Sequence, residues 1–199
     1  MRQLLVVMVK EPHPGRVKTR LGRDIGMVPA AWWFRHQSAR LLRRLRDPRW
    51  QVVLAVSPDR EGLASRVWPA DLVRLPQGRG DLGARMRRGL RCNAQGNTRG
   101  PVCVIGADIP CVTRAHIARA FAALGAHDLV FGPALDGGYW LVGARHGGRV
   151  PAGLFQNVRW SGPHALADSV ASAQGARVAL VDRLRDVDDA ADLRAAPPP

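Results

Sequence analysis

Apolar runs and amphipathic stretches alternate along the chain. "QLLVVMV" (3–9), "QVVLAVS" (51–57) and "PVCVIGAD" (101–108) are short, continuous and rich in valine, which predicts strands buried on both faces. "DLVRLP" (71–76), "HDLVFGP" (127–133), "YWLVGA" (139–144) and "ARVALVD" (176–182) supply further strands. Between them, residues 29–47 carry helical spacing, with Trp33, Leu41 and Leu45 facing inward and arginines outward. Residues 81–94 read as a helix capped by Asp81, and 113–124 as one capped by Thr113. A helix at about 163–174 precedes the last strand, and "DAADLRAA" (189–196) predicts a short terminal one. This alternation predicts an α/β fold, with a mostly parallel sheet and helices on both faces.

A length of 199 residues fits one domain, read here as 1–195, with a disordered tail at 196–199 where the chain ends in three prolines. The first apolar run ends at Lys10, too short for a secretory leader, and no run approaches the ~20 apolar residues of a membrane span. Cys92, Cys103 and Cys111 are odd in number and lack C-x-x-C spacing. A reduced, cytoplasmic protein without structural zinc, and with no membrane partner, is the expectation.

The net charge of +14 changes the picture, because it calls for an anionic partner. Nucleic acid is one class. The four phenylalanines and the single tyrosine do not interleave with the arginines, however, so no base-stacking platform is visible. An anionic small molecule is the better fit. Of the 30 basic residues only Lys10 and Lys18 are lysines, and both lie in "KEPHPGRVKTRLG" (10–22). A lysine is a compact point charge and an arginine a planar fork, so the choice of lysine there is one of shape.

In parallel sheets ligands bind beyond the carboxyl ends of the strands. Four polar motifs adjoin strand runs and would gather on that edge. The opening loop has prolines that restrict it, Gly15 that frees it, and cations able to surround phosphate. It reads either as a phosphate cradle or as a solvated basic turn, and it matches neither the P-loop nor G-x-G-x-x-G. Asp108 in "IGADIP" stands where a buried strand ends, placed for Mg²⁺ or for capping a turn. "DVDD" offers Asp186, Asp188 and Asp189. Asp189 suits a helix N-terminus, and Asp188 is the metal candidate. "LDGGYW" joins Asp136 to Gly137 and Gly138, either as a β-turn or as a close approach to ligand. Trp160 and Ser161 could line a pocket. No H-E-x-x-H and no G-x-S-x-G occur, which argues against a zinc hydrolase and a serine hydrolase.

In order along the chain stand "KEPHPGRVKTRL", "QGRGDLGARM", "GADIP", "GPALDGGYWLVG", "VRWS" and "DVDDAADL". Together these resemble the bacterial family of radical-SAM/selenodomain-associated transferases, a glycosyltransferase-like group of the nucleotide-diphospho-sugar transferase superfamily. The resemblance spans Lys10 to Leu193. It implies a single-domain, Rossmann-like GT-A fold. It also implies that Lys10, Gly15, Lys18 and Arg20 bind nucleotide phosphates, that Lys18, Arg20 and Asp108 are catalytic, and that Asp108 and Asp188 hold a metal. Asp81, Arg85, Asp136, Gly137, Gly138, Tyr139, Trp160 and Ser161 would form the acceptor pocket. The sequence departs from the pattern at Pro110, which ends what is D-x-D in GT-A glycosyltransferases, and at Asp189 and Ala190, where relatives carry Thr and Pro.

The expected activity is a Mg²⁺- or Mn²⁺-dependent transferase acting on a small-molecule acceptor. Nucleotidyl transfer from a nucleoside triphosphate leads. Glycosyl transfer from a nucleoside diphospho-sugar, and non-catalytic binding of an anionic ligand or RNA, are the alternatives. Base, sugar, acceptor and oligomeric state are not given by these residues.

Overall fold

A computed structural model describes residues 3–92 and 100–195. The expected tail at 196–199 lies outside the described residues, as does the C-terminal end of the helix expected at 81–94. The elements, in chain order, are β1 (Gln3–Lys10), α1 (Thr19–Ile25), α2 (Met27–Arg44), β2 (Trp50–Ser57), α3 (Asp59–Ala64), β3 (Val73–Pro76), α4 (Leu82–Leu90), β4 (Val102–Gly106), α5 (Arg114–Ala123), β5 (Leu129–Pro133), β6 (Tyr139–Ala144), α6 (Ala165–Ala171), β7 (Val178–Leu180) and α7 (Ala190–Ala195). They build a single α/β domain around one sheet of order β3-β2-β1-β4-β6-β5-β7. The sheet is parallel except for β6, which runs antiparallel to both of its neighbours.

The valine-rich runs are buried on both faces, as their uniform composition predicts. Along β1, Leu5, Val7 and Val9 enter one core with Leu41 and Leu42 of α2 and Ile117 and Phe121 of α5. The alternate residues Leu4 and Val6 enter the other core with Met86 and Leu90 of α4. Helices therefore cover both sides of the sheet. Leu45 is buried as expected, whereas Trp33 is only half-buried. No described helix is long and apolar enough to cross a membrane.

The antiparallel β6 has a positional consequence. The chain enters β6 at the same edge where the parallel strands exit, as the pairing of Pro133 with Tyr139 and of Lys10 with Ser57 shows. "LDGGYW", which precedes its strand, thus reaches the carboxyl edge together with loops that follow theirs.

Candidate active site

The loop after β1 is shaped by a turn in which the Arg16 amide donates to the His13 carbonyl at 3.0 Å. Gly15 supplies the positive φ of 75° that this turn requires. Gly15 itself does not border the cleft described below, so its contribution is to the loop's path. Lys18, immediately before α1, is also left-handed, at φ 45° and ψ 48°. It gives the helix no side-chain cap, because an ammonium only donates and the free amides of a helix N-terminus need an acceptor, and its side chain turns to the sheet edge.

There the Lys18 ammonium lies 2.6 Å from Asp108 Oδ2 and 2.8 Å from Asp188 Oδ1. Asp108 follows β4 and Asp188 precedes α7, and the Val187 amide donates to the Asp108 carbonyl at 3.4 Å. Arg20 Nη1 reaches the second oxygen of Asp188 at 3.2 Å. Burial alone would pull the Lys18 pKa down, but the two carboxylates outweigh it and hold the ammonium above its ordinary value. Burial likewise opposes ionisation of Asp188, and Lys18 and Arg20 reverse it, leaving its pKa lowered. Asp186 has no such partner among the described residues. Burial, then the charges of Asp188, Asp136 and Asp108, push it up to about 6.

These groups line a cleft of about 750 Å³ at the carboxyl edge. Of the residues expected from sequence, Lys10, Lys18, Arg20, Asp81, Arg85, Asp108, Asp136, Gly138, Tyr139, Trp160, Ser161 and Asp188 all border it. Gly137 does not. At φ 86° it packs its Cα so closely on Pro163 that a Cβ would stand 2.4 Å from the Pro163 carbonyl oxygen. Its role is to fold the turn that Asp136 closes by accepting from the Gly138 amide at 2.8 Å. Tyr139 reaches the cleft edge, but its hydroxyl bonds to Ser169 Oγ at 3.1 Å and so anchors α6. Burial raises its pKa. Asp81 caps α4 as predicted, accepting from the Ala84 amide at 2.8 Å. Trp160 packs against α4 at Gly83, where an added Cβ would meet its ring at 2.8 Å. Asp189 accepts from the Ala191 and Asp192 amides, as a residue at a helix N-terminus does.

The sequence pattern does not single out Arg16 and Gln77 as site residues, and it gives Asp186 less weight than Asp188; all three border the cleft. Gln77 is buried and donates both amide hydrogens, to Val9 at 3.0 Å and Ala55 at 2.9 Å, tying the loop before α4 to the ends of β1 and β2. The "D-V-D" spacing is the available signal for Asp186, although β7 has ended by then and no strand alternation orients the pair.

Among the described residues no group of three or more His, Cys, Asp and Glu is arranged to hold a metal. Two carboxylates from separate segments do converge on one cation, here the ammonium. An all-oxygen pair at the cleft fits Mg²⁺ or Mn²⁺, which take one or two carboxylates and leave their other positions to water and substrate phosphates. The residues therefore fit the implied group.

The fold is shared with solved structures. A protein of Desulfovibrio desulfuricans G20, described as a "putative nucleotide-diphospho-sugar transferase", matches with a TM-score of 0.84 and 28% identity over 98% of this chain and 86% of that one. The 4-diphosphocytidyl-2C-methyl-D-erythritol synthase of Anaerococcus prevotii DSM 20548 matches with a TM-score of 0.61 and 10% identity, over 98% and 96%. Rv0371c of Mycobacterium tuberculosis H37Rv, in complex with manganese, matches with a TM-score of 0.50 and 21% identity, over 98% and 97%. The last two show the fold alone. A search of curated proteins found no match. Residues 41–162, from the last turn of α2 to just past Trp160, match the family described as "Uncharacterized protein conserved in bacteria (DUF2064)", a description that names neither a reaction nor a radical-SAM partner, and the chain belongs to that family.

Proposed function

We propose that the protein is a divalent-metal-dependent transferase that binds a nucleotide through its phosphates. In the reading the cleft supports best, it moves a nucleotidyl group from a nucleoside triphosphate to a phosphorylated small molecule. The observation that carries this is the convergence of Asp108 and Asp188 on one cation, at a cleft bordered by the cationic 10–20 loop. An oxygen of the acceptor phosphate attacks the α-phosphorus, the bond to the bridging oxygen breaks, and pyrophosphate leaves with that oxygen. Lys10, Lys18 and Arg20 hold the triphosphate oxygens against their mutual repulsion. Asp81, Arg85, Asp136, Gly138, Trp160 and Ser161 bound the acceptor's side, with Gly15 and Gly137 shaping the loops that carry these groups. Asp108 and Asp188 would hold Mg²⁺ or Mn²⁺, which neutralises charge on the reacting phosphates when bound. Positioning and charge do the catalysis, without a covalent protein intermediate. One structural neighbour is a complex with manganese and another is named as a synthase of a diphosphocytidyl compound, in keeping with this reading.

The description of the D. desulfuricans neighbour favours a second reading, in which a nucleoside diphospho-sugar donates its sugar. A thermal-shift panel of nucleoside triphosphates and nucleoside diphospho-sugars, with and without Mg²⁺, separates the two. A ligand at roughly a hundred times its Kd stabilises the fold by about 2.7 kcal/mol. A shift with one triphosphate, followed by pyrophosphate release once an acceptor is supplied, supports nucleotidyl transfer. A shift confined to a diphospho-sugar supports glycosyl transfer. No shift with any of them overturns both and leaves a binding protein for another anion.

A further inference from the structure

The two lysines of the chain are in different situations. Lys10 is exposed at the end of β1 and, among the described residues, pairs with no carboxylate. Lys18 is only 7% exposed and spans both cleft carboxylates, at 2.6 Å and 2.8 Å. Its backbone sits in the left-handed region, which a non-glycine residue keeps only where its surroundings enforce it. Among the described residues, neither Asp108 nor Asp188 has another cation this close: Arg20, 65% exposed, touches only Asp188, at 3.2 Å.

We propose that Lys18 is the resident counter-ion of the metal position. It neutralises Asp108 and Asp188 when no metal is bound, and it must leave them for a divalent cation to be held there. The inference rests on the metal reading above and adds to it how the site is regulated. The Lys18 ammonium lies within 2.8 Å of one oxygen from each carboxylate, so a divalent cation that takes those two oxygens has to displace a buried ammonium that has three donors to satisfy. Free metal offers the ammonium nothing in return. A metal–nucleotide complex offers phosphate oxygens at the same place. The site therefore discriminates against free Mg²⁺ and Mn²⁺ and accepts the metal with its nucleotide.

The test is calorimetric titration of Mn²⁺ alone, without nucleotide, into the wild-type protein and Lys18→Met, each checked for folding by circular dichroism. Lys18→Met removes the competing cation, so it binds Mn²⁺ more tightly than wild type, by about 5–150-fold, the usual span of a coupling between sites. Equal or weaker binding by Lys18→Met overturns the exchange while leaving the metal reading intact. No binding by either protein removes the metal reading itself, and the exchange with it. If Lys18→Met does not fold, the wild type answers the question directly. With only two lysines in the chain, reductive methylation followed by mass spectrometry reports Lys18 against Lys10 as an internal standard. Labelling of Lys18 rises relative to Lys10 as Mn²⁺ saturates, and an unchanged ratio at saturation overturns the proposal.

Discussion

Asp108 and Lys18 carry the most consequence for a single side chain. Asp108→Asn keeps the size of the group but turns one acceptor oxygen into a donor and removes one of the two carboxylate charges that meet Lys18. The expected outcome is a loss of turnover on the order of 10²-fold or more, the scale found when one preorganised electrostatic partner is deleted. The circular dichroism spectrum should not change, because Asp108 lies in a loop at the cleft rather than in the core. Turnover of whichever donor the thermal panel identifies is the measurement, and wild-type turnover would remove Asp108 from the metal site. Lys18→Met should also bind that nucleotide more weakly, and equal nucleotide affinity would show that the lysine stays with its carboxylates throughout. Asp108 is readable in the sequence as the residue ending a strand run. Its meeting with Asp188 is expected only from the shared sheet edge and from the family resemblance, because the long intervening chain leaves no local pattern that links the two.

Elements are legible in proportion to their burial. The strand runs at 3–9, 51–57 and 101–108 stand out because both faces are covered, which leaves no polar position to blur them. Thr19–Ile25 does not: seven residues, with only Leu21 and Gly22 buried and no side-chain cap, offer too little periodicity to separate a helix from the loop before it. Asp59–Ala64 is hidden by the same shortness. The helix at Leu82–Leu90 is legible, and two substitutions probe how it is set against the cleft. Asp81→Ala removes its cap and should cost about 0.5–2 kcal/mol, read as a lower Tm. Gly83→Ala forces a Cβ to 2.8 Å from both Phe155 and Trp160. Overpacking of this kind costs about 1–3 kcal/mol, several degrees in Tm. Since Asp81 and Trp160 both border the cleft, each substitution should also raise KM for the acceptor, and an unchanged KM in both would separate this helix from acceptor binding.

For the whole molecule, the excess of positive charge makes the carboxylates the point of failure. Asp71, Asp128 and Asp182 are paired with Arg46, Arg177 and Arg119, which hold their pKa values below the ordinary 3.8, and Arg49 holds Asp47 at about 2. Groups with depressed folded pKa values stabilise the fold above the unfolded value and lose that contribution as pH falls through the folded one. Tm should therefore fall below about pH 4, where arginines released from their partners also repel one another more strongly, while between about pH 7 and 5 the protonation of Asp186, whose folded pKa stands at about 6, works in the stabilising direction. A Tm already declining between about pH 7 and 5 would contradict this. The reversal of β6 carries a different consequence. Pro133 and Tyr139 are joined by a hairpin tip whose two ends are fixed by sheet pairing, while the tip itself looks out over the carboxyl edge. The tip is held in place at Ala134, which is buried and bridges Leu184, and at Gly137, which packs on Pro163 and accepts from the Leu166 amide. On the proposed reading this hairpin is a fixed wall on the acceptor's side, so exchanging residues 134–138 together with their contacts at Pro163 and Leu166 is the change expected to alter acceptor choice.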